Sequence, residues 1–172
     1  MTDPSEPLLI NPELDSYLNH HLAASFGAVD LIQELADRQT TATEERFFLE
    51  LKAAVIADQE LVKLLLALAG GDECRPQQVA SNLSARASRL KLWWDGLERG
   101  ELGRFEALEL VATGIQGKRL FWAMLAAIAP TVPSWEGIDF AKQEKTAELQ
   151  FDAIEKRRLA AGTITLTDTP LT

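Results

Sequence analysis

Apolar residues recur in alternating steps of three and four along most of the chain, a spacing that predicts helices. The first run is Leu14, Leu18, His21, Ser25, Ala28, Ile32 and Leu35. It predicts a helix over about 13–38, opened by Asn11 as N-cap with Pro12 in the first turn. The second run is Phe48, Leu51, Val55, Asp58, Val62, Leu65 and Ala69. It predicts a helix over about 44–69, capped by Thr41 or Thr43 and ended by Gly70-Gly71. Ala80, Leu83, Ala87, Leu90, Trp94 and Leu97 predict a third helix from after Pro76 to about 97.

The fourth run changes character along its length. Phe105, Leu108, Ala112 and Ile115 are one-sided, whereas Leu120–Ala129 is apolar all round. A helix over about 104–129 follows, bounded by Gly100 and Gly103 before it and by Pro130 and Pro133 after it. A helix apolar on every face must be covered on every face. The covering element is a fifth helix over about 139–161, with Asp139 as cap, Phe140, Ala147, Phe151 and Ile154 as its apolar positions, and Gly162 as its end. Residues 1–12 read as an irregular lead-in, 13–161 as one helical domain, and 162–172 as a mobile tail.

Helices of roughly 22–26 residues are rods of about 33–39 Å. The link at 70–76 spans at most about 25 Å when extended, too short to run the bundle's length. Consecutive helices are therefore expected to be antiparallel. The fold class predicted is all-α: an antiparallel up-down-up-down four-helix bundle with an additional C-terminal helix.

Composition narrows the function. Of 172 residues, 47% are hydrophobic and 25% charged, enough for a core without disulfides. The net charge of -9 argues against nucleic-acid binding. The longest apolar run, ten residues, is half of a membrane span, and the N-terminus lacks a basic segment followed by an apolar one. The lone Cys74 in a turn reads as a surface thiol, and a reducing cytoplasm is the expected location. Arg86, Arg89 and Lys91 beside Trp93-Trp94 read as ion-paired and core positions before they read as an anion site.

The candidate chemistry lies in the seams. At about 100° per residue, His21 falls near the centre of the first helix's apolar stripe and His20 points outward. Asp58 falls at the centre of the second stripe, where an unpaired carboxylate is costly. Level counting about the 38–44 turn puts His21 within one helical turn of Asp58, so a His21–Asp58 hydrogen bond is expected, with Arg86 as third partner and Glu109 at the margin. This candidate binding layer of His21, Asp58, Arg86 and Glu109 reads first as a polar network that sets helix pairing, and second as a small-molecule pocket. Lys118-Arg119 is expected to neutralise Glu106 or Glu109.

In helix number and length the chain resembles the ferritin-like superfamily, over residues 13–161, and uncharacterised bacterial bundles loosely grouped with it. That resemblance implies a long crossover after the second helix and di-iron ligands from two glutamates and two Glu-x-x-His motifs. Neither crossover nor Glu-x-x-His occurs here, so no metal and no cofactor are assigned. The expected function is that of a non-enzymatic binding or interaction protein. Its partner is expected to be a second copy, through Trp122, Trp135, Phe140 and Phe151 where they are not covered by their own chain. The alternative is a metal or redox protein with an atypical site of His21, Asp58 and Glu109.

Overall fold

In the computed structural model, which describes residues 10–71 and 100–167, three of the four α-helices begin where a side chain satisfies a free amide, and the helix after Gly100 begins without one. Asn11 accepts from the Glu13 and Leu14 amides (2.8 and 3.3 Å) and starts α1, Pro12–Asp37. Thr41 accepts from the Glu44 amide and starts α2, Ala42–Leu68. Gly70, at φ 79°, ends α2 in a complete Schellman turn: its amide reaches Ala67 O and that of Gly71 reaches Leu66 O. Helix α3 covers Glu101–Ile128 and α4 covers Phe140–Leu166, opened by Asp139, which accepts from the Lys142 amide at 2.9 Å. Two 3-10 turns, Ala129–Thr131 and Pro133–Trp135, join α3 to α4. The described residues are all-α. The helix expected over 76–97, with Arg86 and Cys74, lies outside them.

Cross-helix contacts set the directions. From one end to the other, α3 meets α4 as Phe105 with Gly162, Glu109 with Arg158, Lys118 with Gln150, and Trp122 with Phe140. Along the same axis α2 meets α4 or its lead-in as Glu44 with Arg157 and Leu65 with Trp135. Tyr17 and His21 of α1 meet Phe121 of α3. Helices α1 and α4 therefore point one way, α2 and α3 the other. The parallel α2 and α3 fit the alternation expected from the sequence, which places one more helix between them.

The C-terminal helix is a full bundle member, and its packing against α3 is the most extensive in the described structure. Phe140, Ala147, Ile154 and Ala161 recur every seven residues on its buried face. Trp122, Trp135 and Phe140 are buried within their own chain, and Phe151 packs partly buried against the core. The Trp135 indole donates to Leu65 O at 3.0 Å, tying the α3–α4 connection to α2. Of the four aromatics expected at a contact between two copies, three are thus covered by their own chain, and Phe151 is half-buried.

Two helix boundaries also differ from expectation. Helix α3 begins at Glu101, three residues early, and Gly103 is buried in its first turn rather than lying in a loop. Helix α4 does not stop at Gly162 but runs to Leu166, into the segment expected to be a mobile tail. Gly162 is buried against Phe105, and a Cβ there would lie 2.7 Å from Phe105 Cε2. Glycine here permits close packing and does not end the helix. Among the described residues, no helix is long and apolar enough to cross a membrane.

Candidate functional site

The core is in two parts. One cluster holds Leu35, Phe48, Leu108 and Ile154; the other holds Leu18, Leu65, Trp122 and Trp135. Between them, at mid-height, lie a layer of polar side chains and a cavity of about 360 Å³ bounded by α1, α2 and α3. Its wall is mainly aliphatic and aromatic, from Leu22, Ile32, Val55, Val62, Ile115 and Phe121 among others. His21, Ser25, Asp58, Gln59, Thr113 and Lys118 are polar residues along it.

The structure brings His21 and Asp58 to one cavity but does not pair them. Asp58 Oδ2 accepts from Lys118 Nζ at 2.6 Å, and the same ammonium donates to Gln150 Oε1 on α4. Lys118 thus takes the role expected of His21 and Arg86, and it does not neutralise Glu106 or Glu109. The ion pair is only 15% and 18% exposed. Burial pushes the Asp58 carboxyl up, and the charge and hydrogen bond of Lys118 oppose that shift.

His21 instead sits between rings. Its imidazole stacks on Phe121 with centroids 4.3 Å apart and an interplanar angle of 28°, and meets the Tyr17 ring edge-on at 4.7 Å. Burial, and secondly the charge of His20, hold the imidazole below the ordinary value of 6.5. His21 is therefore neutral at pH 7, whereas an Asp58 partner would have favoured its charged form. The Tyr17 hydroxyl is pushed up by burial.

Glu109 is exposed and accepts from Arg158 of α4 at 3.0 Å. It does not line the cavity. Arg86 lies outside the described residues. Of the four expected layer residues, two meet at the cavity. Asp58 and Glu109 are each held by a cation from another helix, and among the described residues no three His, Cys, Asp or Glu side chains are placed to hold a metal ion.

Three participants escaped the sequence reading. Lys118 is three residues after Ile115 and four before Trp122, so the seam spacing itself places it inward. Gln59 competes with Asp58 for one seam position, since Val55 and Val62 flank both at steps of three and four. Gln59 is the more buried, and its amide donates to Ser25 Oγ at 2.9 Å, joining α1 to α2. Ser25 in turn donates to Leu22 O, so its hydroxyl is committed to the scaffold. The third is Trp122, 1% exposed, whose indole Nε1 has no partner among the described residues. No sequence signal distinguishes a paired buried indole from an unpaired one.

A mainly apolar wall with a few fixed polar groups suits the uptake of a small molecule more than bond-breaking. The serine is not tied to a base, and the carboxylate is held by a lysine. Comparison with known proteins adds no relative: no family model matches the chain, and neither a curated protein nor a solved structure matches it.

Proposed function

We propose that the chain is a non-enzymatic helical-bundle binding protein that takes a small, largely apolar molecule into the cavity between α1, α2 and α3. One observation carries this reading. The core is interrupted at mid-height by about 360 Å³ of apolar-walled space, within the range of roughly 300–1,000 Å³ found for ligand pockets. An apolar molecule there would make dispersion contacts with these walls. The ring stack of His21 on Phe121 and the Asp58–Lys118–Gln150 bridge support the walls at the same level.

The test is titration of the full chain with the neutral fluorophore N-phenyl-1-naphthylamine. Saturable binding with one site per chain, and a rise in unfolding temperature with probe concentration, are expected. Ala28→Leu, which adds three carbons at the cavity wall, should weaken binding at least tenfold while circular dichroism remains helical. Gly114→Leu serves as a second variant, because a Cβ at Gly114 meets no atom within 4 Å. Binding that neither variant alters would place the probe elsewhere and overturn the reading.

A further inference from the structure

We infer that the molecule taken up is an uncharged hydroxyl compound, an alcohol or a phenol, held by Gln59 Oε1 and the His21 imidazole. The inference rests on the proposed cavity-binding function and names its ligand class.

The polar side chains along the cavity differ in what they leave unbonded. Ser25 donates to Leu22 O and accepts from Gln59 Nε2, and Thr113 donates to Glu109 O. Lys118 donates to Asp58 Oδ2 and Gln150 Oε1. Gln59 Oε1, Asp58 Oδ1 and the ring nitrogens of His21 make no hydrogen bond among the described residues. The partnerless polar atoms sealed from any water-sized contact are Gln116 Oε1, Trp122 Nε1 and Thr165 Oγ1, so the Trp122 nitrogen is closed off from the cavity. Gln59 Oε1 is not one of them. Gln59 is only 6% exposed and lines the cavity, so the surface its oxygen keeps is cavity surface. Its amide orientation is fixed: Ser25 gives its hydrogen to Leu22 O and must receive one from Gln59 Nε2, which leaves Oε1 as the free end.

These open atoms select the class. A neutral imidazole has one donor and one acceptor nitrogen. Burial keeps His21 neutral, and no hydrogen bond among the described residues sets its tautomer. His21 therefore suits a partner that donates or one that accepts. Gln59 Oε1 and Asp58 Oδ1 only accept, so what completes them must donate. A hydrocarbon, an ether and a ketone cannot. A hydroxyl donates to Gln59, and its oxygen still accepts from His21.

Charge excludes two further classes. An ammonium also donates, but Asp58 is already held by Lys118 at 2.6 Å, and no second carboxylate lines the cavity among the described residues. Its charge would lie unpaired among mainly aliphatic walls. A carboxylate donates nothing and would meet Asp58 in a cavity without net positive charge.

The experiment displaces N-phenyl-1-naphthylamine from the full chain with two pairs of isomers: 1-octanol and 1-methoxyheptane, 4-ethylphenol and 4-methylanisole. Within each pair only the hydroxyl compound donates. In wild type the hydroxyl compound of at least one pair should bind roughly fivefold more tightly than its ether, the worth of one hydrogen bond. The pair that shows it tells alcohol from phenol. Gln59→Leu should bring that pair to parity. Should Gln59→Leu not fold, wild-type resonances decide. Gln59 ¹³Cδ should move with the hydroxyl compound and stay with the ether. The His21 ring ¹⁵N resonances should move with the hydroxyl compound while those of exposed His20 stay. Parity of both pairs in wild type, a preference that survives Gln59→Leu, or Gln59 and His21 resonances that do not move would overturn the hydroxyl inference and leave the cavity reading standing. Tighter binding of octanoate or octylammonium would also overturn it. Failure of every competitor, and of the fluorophore itself, would remove the cavity reading with it.

Discussion

Lys118 of α3 places its ammonium 2.6 Å from Asp58 Oδ2 of α2 and also donates to Gln150 of α4, so one side chain joins three helices at the level where the core divides. Removing one partner of a buried ion pair leaves the other charge uncompensated. Lys118→Met should therefore cost about 2–4 kcal/mol in urea unfolding. Asp58→Leu combined with Lys118→Leu should lie within about 1 kcal/mol of wild type, because two apolar side chains remove both desolvation penalties. A double-variant loss equal to the sum of the losses of Asp58→Leu and Lys118→Leu measured singly would show that the two residues are not coupled.

His21 should make stability depend on pH near neutrality. Its folded pKa is depressed below 6.5, so the unfolded chain takes up a proton that the folded chain resists. Stability is then full above that value, falls as pH drops below about 6.5, and levels off below the folded pKa. His21→Phe keeps a ring against Phe121 and cannot titrate. Denaturant unfolding between pH 7.5 and 5 should show a shallower decline in that variant. An unchanged slope would mean that His21 titrates normally.

Glu44 and Arg157 join α2 to α4 through two parallel hydrogen bonds, of 2.8 and 3.0 Å, while the guanidinium lies 3.4 Å over the Phe47 ring. The hydrogen bond from Arg157 is the main cause that holds the Glu44 carboxyl below its usual value, with burial opposing it. The contribution is present above the unfolded pKa and is lost as pH falls through the folded one. The pair is partly exposed, so Glu44→Gln should cost no more than about 1 kcal/mol at pH 7. The variant should lose stability less steeply than wild type below about pH 4.5. Parallel acid limbs would refute the coupling.

Gly162 tests close packing against helix propensity. Alanine normally gains about 1 kcal/mol over glycine within a helix. At Gly162 its Cβ would lie 2.7 Å from the Phe105 ring, so Gly162→Ala should destabilise, by about 1–2 kcal/mol. In a Phe105→Leu background the clash is relieved and the same substitution should stabilise. Thermal unfolding of the four chains reads the sign change directly. The same sign in both backgrounds would locate the strain elsewhere.

The helices themselves were legible because their signals are local. Asn11, Thr41, Asp139 and the Gly70-Gly71 pair act on amides and carbonyls within one turn, and the steps of three and four identify inward faces without knowledge of what lies opposite. The apolar end of α3 demanded a cover, and α4 with its lead-in covers the Trp122 face, while Leu120 and Met124 remain exposed. The same periodicity placed His21 and Asp58 inward, and both line the cavity. Which inward polar groups bond was not local. Asp58 had candidates on several helices; the rotation of α3 relative to α2 brings Lys118 to it, and the ring of Phe121 takes His21. Gly162 carries the same ambiguity: one residue type ends helices and allows close packing, and only the position of Phe105 selects between them. The sequence by itself determined an all-α fold, the starts of the three side-chain-capped helices and the buried faces, because those follow from backbone capping and periodicity. Tertiary structure alone decided the ion pairs, the unpartnered Trp122 indole and the cavity, because these depend on the relative rotation and spacing of helices distant in sequence.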